Sequence, residues 1–330
     1  MAKYTIGLDF GTSQTKVCVH NIDNDIREFI LFDNNTFFLP SLITKNSKNQ
    51  FRYGDENEEG IKYRYFKMAA AEDPELIQVT NENIEGKIEK GKLSDFEKYS
   101  TNFDIIPEIL VILYLTHIIL YIKNKYDIKN EPQVGNFLRT FLTTKKNTAN
   151  EYSINLGIPT EWNNPNHIKR KIKFQSLLLT ASILADKMET KDKFLRATES
   201  ELINSINSIN KSNLDEYIDT KNSILKDGIN ELLRKKCLSV FPESAAGINY
   251  LLKTKRLADG AYATLDIGAG TSDIAIFQVF NNNLNYYYCS ESVEIAANDF
   301  YREYAREILS KTEISFDEIK HFEDQLKNIN

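Results

Sequence analysis

Ile6-Gly7-Leu8-Asp9-Phe10-Gly11-Thr12-Ser13 and Leu265-Asp266-Ile267-Gly268-Ala269-Gly270-Thr271-Ser272-Asp273 are two versions of one pattern, set about a domain apart in a chain of 330 residues. In the first, apolar Ile6, Leu8 and Phe10 alternate with Gly7 and Asp9, which is the period of a strand with one buried face. Gly11-Thr12-Ser13 then turns the chain back into a second strand at Lys16 to His20, and a third around Glu28 to Phe32 extends a meander. The second copy repeats Leu-Asp-apolar-Gly, adds Ala269-Gly270, and ends on the hydroxyl pair Thr271-Ser272. Each Asp closes its strand on the face opposite the apolar residues, and the glycines permit backbone angles and approaches that a side chain forbids.

A turn of this kind collects backbone N–H groups and hydroxyls in one concavity suited to phosphate oxygens. The neighbouring carboxylate repels bare phosphate. It can hold hydrated Mg²⁺, a hard cation that takes one or two carboxylates and keeps several waters. One Asp-Gly turn is an ordinary hairpin signal, whereas two copies with matching hydroxyls point to a polyphosphate gripped from two sides. No G-x-x-x-x-G-K-S/T occurs, and Gly268-Ala269-Gly270 leads into a strand rather than a helix, so the other common phosphate loops do not fit.

Length and a hydrophobic content of 42% allow two cores with a cleft between them. A net charge of -6 offers no basic field to a nucleic acid, and Lys169-Arg170-Lys171 with Lys173 reads as a solvated helix face. Cys18, Cys237 and Cys289 show no metal or redox spacing and fit a reducing cytoplasm. Met1-Ala2-Lys3-Tyr4 enters a strand directly, without the charged and apolar regions of an export signal. The greasy run from Ile109 to Ile122 contains His117 and is shorter than the ~20 residues of a membrane span, so it reads as a core helix opened by Pro107-Glu108. A cytoplasmic protein with neither nucleic-acid nor membrane partners is expected.

Between the hairpins, Leu39 to Thr44 is extended and Asn57 to Gly60 enters a helix. Strands follow at Asn136 to Thr143 and Ser153 to Ile158. Residues 166–234 are helical, with Asn/Ser/Lys-rich turns near Ser205 to Asn213. Leu238 to Phe241 returns to strand, and Asn298 onward is helical.

These residues resemble the superfamily of actin, sugar kinases and heat-shock-chaperone ATPases, most closely the nucleotide-binding domains of DnaK-type seventy-kilodalton chaperones. The two quoted stretches are similar to that family's two phosphate motifs. Pro40-Ser41, the Tyr53-Gly54-Asp55 turn, Gly157-Ile158-Pro159 and Glu243-Ser244-Ala245-Ala246 follow in the order of its intervening signatures. The resemblance implies an α/β, actin-like ATPase fold with duplicated ribonuclease-H-like lobes around a nucleotide cleft. The first lobe would comprise 1–35 and 102–260 with a helical insertion at about 166–234. A small subdomain would occupy 36–101 and a partial second lobe 261–330.

By the same resemblance, Gly11, Thr12, Ser13, Gly268, Gly270 and Thr271 bind the phosphates of ATP, while Asp9, Asp266 and Asp273 surround Mg²⁺, mostly through water. Asp266 or Thr271 lies near the attacking water. Lys67, with Lys62 and Arg64 close by, is similar to the lysine that reaches the γ-phosphate from the small subdomain, where a cation stabilises charge developing on the transferred group. Glu243 resembles the connecting-helix glutamate that places water and metal, though the family order Glu-Pro is here Pro242-Glu243. The family's later glycine-rich adenosine segment has no counterpart, since no glycine follows Gly270. A fragment of a longer protein, or a diverged form, is therefore expected.

The implied function is a chaperone-like ATPase that couples ATP state to lobe closure and to a protein partner or a missing C-terminal segment. An actin-like filament ATPase, with an oligomeric state to match, and a nucleotide-sensing scaffold with little hydrolysis are the alternatives. A carbohydrate kinase fits less well, although Gly11-Thr12-Ser13-Gln14-Thr15-Lys16 also resembles that group's first phosphate turn.

Overall fold

Alternation builds the first strand as its sequence predicts: β1 (Lys3–Phe10) buries Tyr4, Ile6, Leu8 and Phe10 and leaves Gly7 and Asp9 on the other face. β2 (Gln14–Asn21) returns antiparallel to it, and β3 (Ile26–Phe29) antiparallel to β2. This computed structural model describes residues 3–32, 35–72, 104–129, 150–158, 166–213, 218–219, 224–225, 227–243, 248, 251–254, 257–269, 272–281, 283–293 and single positions between 296 and 307. The strand expected at Asn136 to Thr143, together with Ser244 to Gly247, Gly270 and Thr271, lies outside them. Two compact units result, Met1–Ile158 with Ile168–Phe241 and Pro159–His167 with Pro242–Asn330.

In the first unit, β4 (Leu39–Pro40) pairs with the start of β2. A small antiparallel sheet follows, made of β5 (Ile43–Lys45), β6 (Phe51–Tyr53) and β7 (Ile61–Tyr63) in the order β6-β5-β7, and then α1 (Phe66–Glu72). Asn57 to Gly60 is a turn into β7 rather than a helix start. Gly60 has φ +144°, and a Cβ there would lie 2.2 Å from the Lys45 carbonyl oxygen, so the chain cannot coil at this point.

α2 (Pro107–Lys129) is apolar on all sides, and Ile109 to Ile122 is buried throughout. Its stretch Pro107–Asp127 has the length and composition to cross a membrane, yet 78% of the most apolar window is buried within the protein, as in a core helix. β8 (Glu151–Ile158) then pairs parallel to β1.

α3 (Asn166–Met188), α4 (Lys191–Arg196) and α5 (Glu199–Asn213) follow, then the short strands β9 (Ile218–Asp219) and β10 (Ile224–Leu225), α6 (Asp227–Lys235) and β11 (Leu238–Pro242). The sheet order is β11-β8-β1-β2-β3. The Asn/Ser-rich stretch read as turns is the body of α5. Leu202, Ile206 and Ile209 recur at helical spacing and are buried, and that stripe outweighs the weak helix propensity of Ser and Asn. These helices share one apolar cluster with β1 and α2. Lys173 is a second departure. It is 1% exposed rather than solvated, with Nζ 2.5 Å from Oε1 of buried Glu108 at the start of α2.

The second unit opens as the first does. β12 (Gly260–Ile267), β13 (Ser272–Phe280) and β14 (Asn283–Val293) form an antiparallel meander. Ile248, Ala275, Phe277 and Val279 make its core, with Leu252, Leu257 and Tyr262 packed on them. Beyond β14, the described positions from Ala297 onward are helical. Both units are therefore α/β in composition or begin as such, and the division between them falls at Pro242.

Candidate functional site

Register aligns the two hairpins without a gap. The last cross-strand pair is Phe10↔Thr15 in one and Ile267↔Ser272 in the other, leaving turns of equal length at residues 11–14 and 268–271. Gly11 thus corresponds to Gly268.

The first turn is held rigidly. A Cβ on Gly11 would lie 2.4 Å from the Gln14 carbonyl oxygen, so only glycine fits. The Ser41 amide donates to the Ser13 carbonyl at 2.8 Å, and the Ser41 hydroxyl donates to the Gly11 carbonyl at 2.8 Å. Thr15 and Ser41 hydroxyls lie 3.1 Å apart. Behind them the Tyr114 hydroxyl of α2 donates to the Pro40 carbonyl at 3.0 Å, and its ring stacks on Phe10. Burial raises the Tyr114 phenol above its ordinary range against the pull of the Thr15 and Ser41 hydroxyls, so it stays a donor. In the second turn, the Ala297 amide donates to the Gly268 carbonyl at 3.0 Å. In both units, the segment that follows the third meander strand returns to pin the turn.

Charge separates the two copies. Asp9 faces Lys16 across the strands, with Nζ 3.3 Å from Oδ2 and both side chains about half exposed. At the equivalent position Asp266 faces Asp273. Asp266 is exposed and Asp273 is 5% exposed. Like charges directly opposite each other destabilise an antiparallel pair, and their Cβ atoms stand about 4.5–5.5 Å apart. This carboxylate pair suits a hard cation that takes one or two carboxylates. No cluster of three or more His, Cys, Asp or Glu suited to a metal occurs among the described residues.

Ser13 is exposed and Thr12 nearly buried, so only the first of these hydroxyls opens fully to solvent. Lys67 is 3% exposed on α1, and its ammonium lies 5.5 Å from the centre of the Phe10 ring, on the core side of β1. Lys62 and Arg64 both turn to Glu56 instead, Lys62 at its carbonyl (2.5 Å) and Arg64 at its carboxylate (3.0 Å). Glu243 follows β11 directly and is half-buried, in the same unit as Asp266 and Asp273.

Sequence reading missed Lys16 as the partner of Asp9, Ser41 as the brace of the turn, and Tyr114 as the support behind it. Hairpin register alone could have found Lys16; the other two come from segments 26 and 74 positions away in contact. No family model and no curated protein matches this chain.

Proposed function

We propose that this chain is a nucleotide-binding module of the actin and heat-shock-chaperone ATPase type, closest to the DnaK-type chaperones, which binds Mg-ATP through its glycine-turn hairpins and hydrolyses it to control a protein partner. One observation carries the reading. The two units open with the same meander, the same turn length, an Asp at the same register position, and a turn pinned by an amide from the same place in the chain order. An accidental Asp-Gly hairpin would not repeat its brace. The duplication, and two strands following the first meander at the β1 edge, support ribonuclease-H-like lobes and so the actin-like fold.

Asp266 and Asp273 would hold Mg²⁺, mostly through its waters, and the cation would neutralise the β- and γ-phosphate oxygens and polarise the bond to be broken. The chain's own groups do the rest. The first turn presents the Ser13 hydroxyl and backbone amides kept in place by Ser41. Lys16 sets a cation beside the same turn and balances Asp9, so the first hairpin is electrostatically suited to phosphate and the second to the metal. Lys67 lies against the Phe10 ring on the core side of β1, the face opposite Asp9 and Lys16, so its part in the reading is to back the strand that ends in the turn.

Isothermal titration of the full chain with Mg-ATP tests the reading. Lys16→Ala and Asp266→Ala are each expected to weaken binding at least about tenfold, the loss of roughly one strong charge-assisted contact. Unchanged affinity in both variants would end the proposal.

A further inference from the structure

Beside the first turn lies a strip of aromatic rings that the fold does not use. Phe10, Phe32, Phe51, Phe66, Phe174 and Phe194 of this unit are buried, whereas Phe29, Phe37 and Phe38 are 60%, 50% and 44% exposed. Phe37 and Phe38 are consecutive in the chain. Phe29 and Phe37 meet edge to face with ring centres 6.3 Å apart, and the Lys16 ammonium stands 5.7 Å from the centre of the Phe38 ring. Register puts Phe29 opposite Cys18, two residues along β2 from Lys16 and so on the face that carries Asp9 and Lys16. The strip therefore starts at the Asp9–Lys16 pair and runs one cross-strand row, about 7 Å, away from the turn.

Gly7 occupies the same row, opposite Cys18. A Cβ there would meet nothing nearer than the Cys18 carbonyl oxygen at 3.9 Å, so packing within the chain does not demand glycine. Glycine inside a strand weakens it, and it commonly marks the close approach of a ligand. Across the three strands this row reads Gly7, Cys18, Phe29, and the glycine leaves its β1 end without a side chain.

Resting on the phosphate reading above, we infer that Phe29, Phe37 and Phe38 form a stacking platform for the base of the nucleotide whose phosphates are held at the Gly11 turn. At about half exposure the rings present roughly 300 Å², well short of the ~800 Å² per partner of a stable protein interface and enough for one base. A cation at one end and aromatic faces at the other match the two ends of a nucleotide in order. Stacking accepts every base, because each has a π-face, so the site discriminates weakly between purines.

The test compares ATP, GTP and inorganic tripolyphosphate, each with Mg²⁺, on the full chain by isothermal titration. Substituting exposed rings leaves the core intact. Phe38→Ala and the pair Phe29→Ala with Phe37→Ala are expected to raise the Kd for ATP at least fivefold while that for tripolyphosphate stays within twofold. Phe38→Trp should restore ATP affinity and show nucleotide-dependent fluorescence quenching. Wild type should bind ATP and GTP within about fivefold of each other. If wild type binds both ATP and tripolyphosphate and the alanine variants do not alter their ratio, the platform is wrong and the phosphate reading stands. A shift in self-association by sedimentation with ATP affinity unchanged likewise overturns it, in favour of a protein contact. Failure of wild type to bind either ligand overturns the phosphate reading and the platform with it.

Discussion

Two glycines of β1 and its turn, four residues apart, obey opposite rules. At Gly11 an added Cβ meets a backbone carbonyl at 2.4 Å, and backbone cannot swing aside as a long side chain can. At Gly7 the nearest atom is 3.9 Å away, an ordinary contact. Gly11→Ala is therefore expected to destabilise the protein by about 1–3 kcal/mol, the range for an overpacked site. Gly7→Ala should be neutral or stabilising by up to about 1 kcal/mol, the usual gain of Ala over Gly within a strand. Urea denaturation reads both, and equal losses would show that the turn is not held as described. The alternation that sets Asp9 apart from Phe10 is plain in seven residues of sequence, because a strand's side-chain period is local. The charge of the two hairpins is not. Lys16 is an unremarked lysine until register sets it against Asp9, and only then does the contrast with Asp266↔Asp273 emerge.

Among elements, the small sheet is gripped from outside its own sequence. The Gln50 amide and the Arg52 guanidinium donate to the Arg196 and Leu195 carbonyls, each at 2.8 Å, and Glu199 donates its amide to Asn49 at 2.8 Å. Tyr53 stacks on His117 of α2 and on Phe194 of α4. Lys45 of β5 lies 2.5 Å from Asp104 and 3.3 Å from Glu199, and the Tyr63 hydroxyl donates to Asp104 at 2.5 Å. Partial burial alone would raise the Asp104 carboxyl, but the hydrogen bonds from Lys45 and Tyr63 outweigh it and hold the group below the usual aspartate value of 3.8. A folded pKa below the unfolded one adds stability that is complete above the unfolded value and disappears as pH falls through the folded one. Stability should thus drop below pH 3.8, and Asp104→Asn should remove part of that acid dependence. Thermal melts at pH 6 and pH 3 decide this, and an identical pH response in the variant would count against the bridge. Composition and period identified a subdomain after β3 and helices after residue 166, but their contact spans more than 140 positions and leaves no local trace. The same holds for α5, whose Ser and Asn read as turns until the stripe of Leu202, Ile206 and Ile209 is set against a core.

Over the whole molecule, the duplicated hairpins bury the same strand pattern to different extents. The first unit's cluster joins α2, the faces of β1, β2 and β8, and residues of α1, α3, α4, α5 and α6 into one core. Among the described residues the second unit's cluster is Ile248, Ala275, Phe277 and Val279, while Leu265 and Ile267 of β12 are 61% and 55% exposed on the other face of its sheet. The register-equivalent residues of the first unit, Leu8 and Phe10, are buried, so the same strand pattern carries far less apolar burial in its second use. Opening free energy follows buried apolar contact, and units with separate cores open separately. Amide hydrogen exchange is therefore expected to show β12 to β14 exchanging orders of magnitude faster than β1, β8 and α2, with Mg-ATP slowing exchange around residues 266–273 by binding the folded form. On the proposed reading the carboxylate pair belongs to the hairpin with less apolar burial and the phosphate turn to the one with more, so nucleotide should stabilise the second hairpin more than the first. Uniform exchange across both units, or protection by Mg-ATP confined to residues 9–16, would contradict that division.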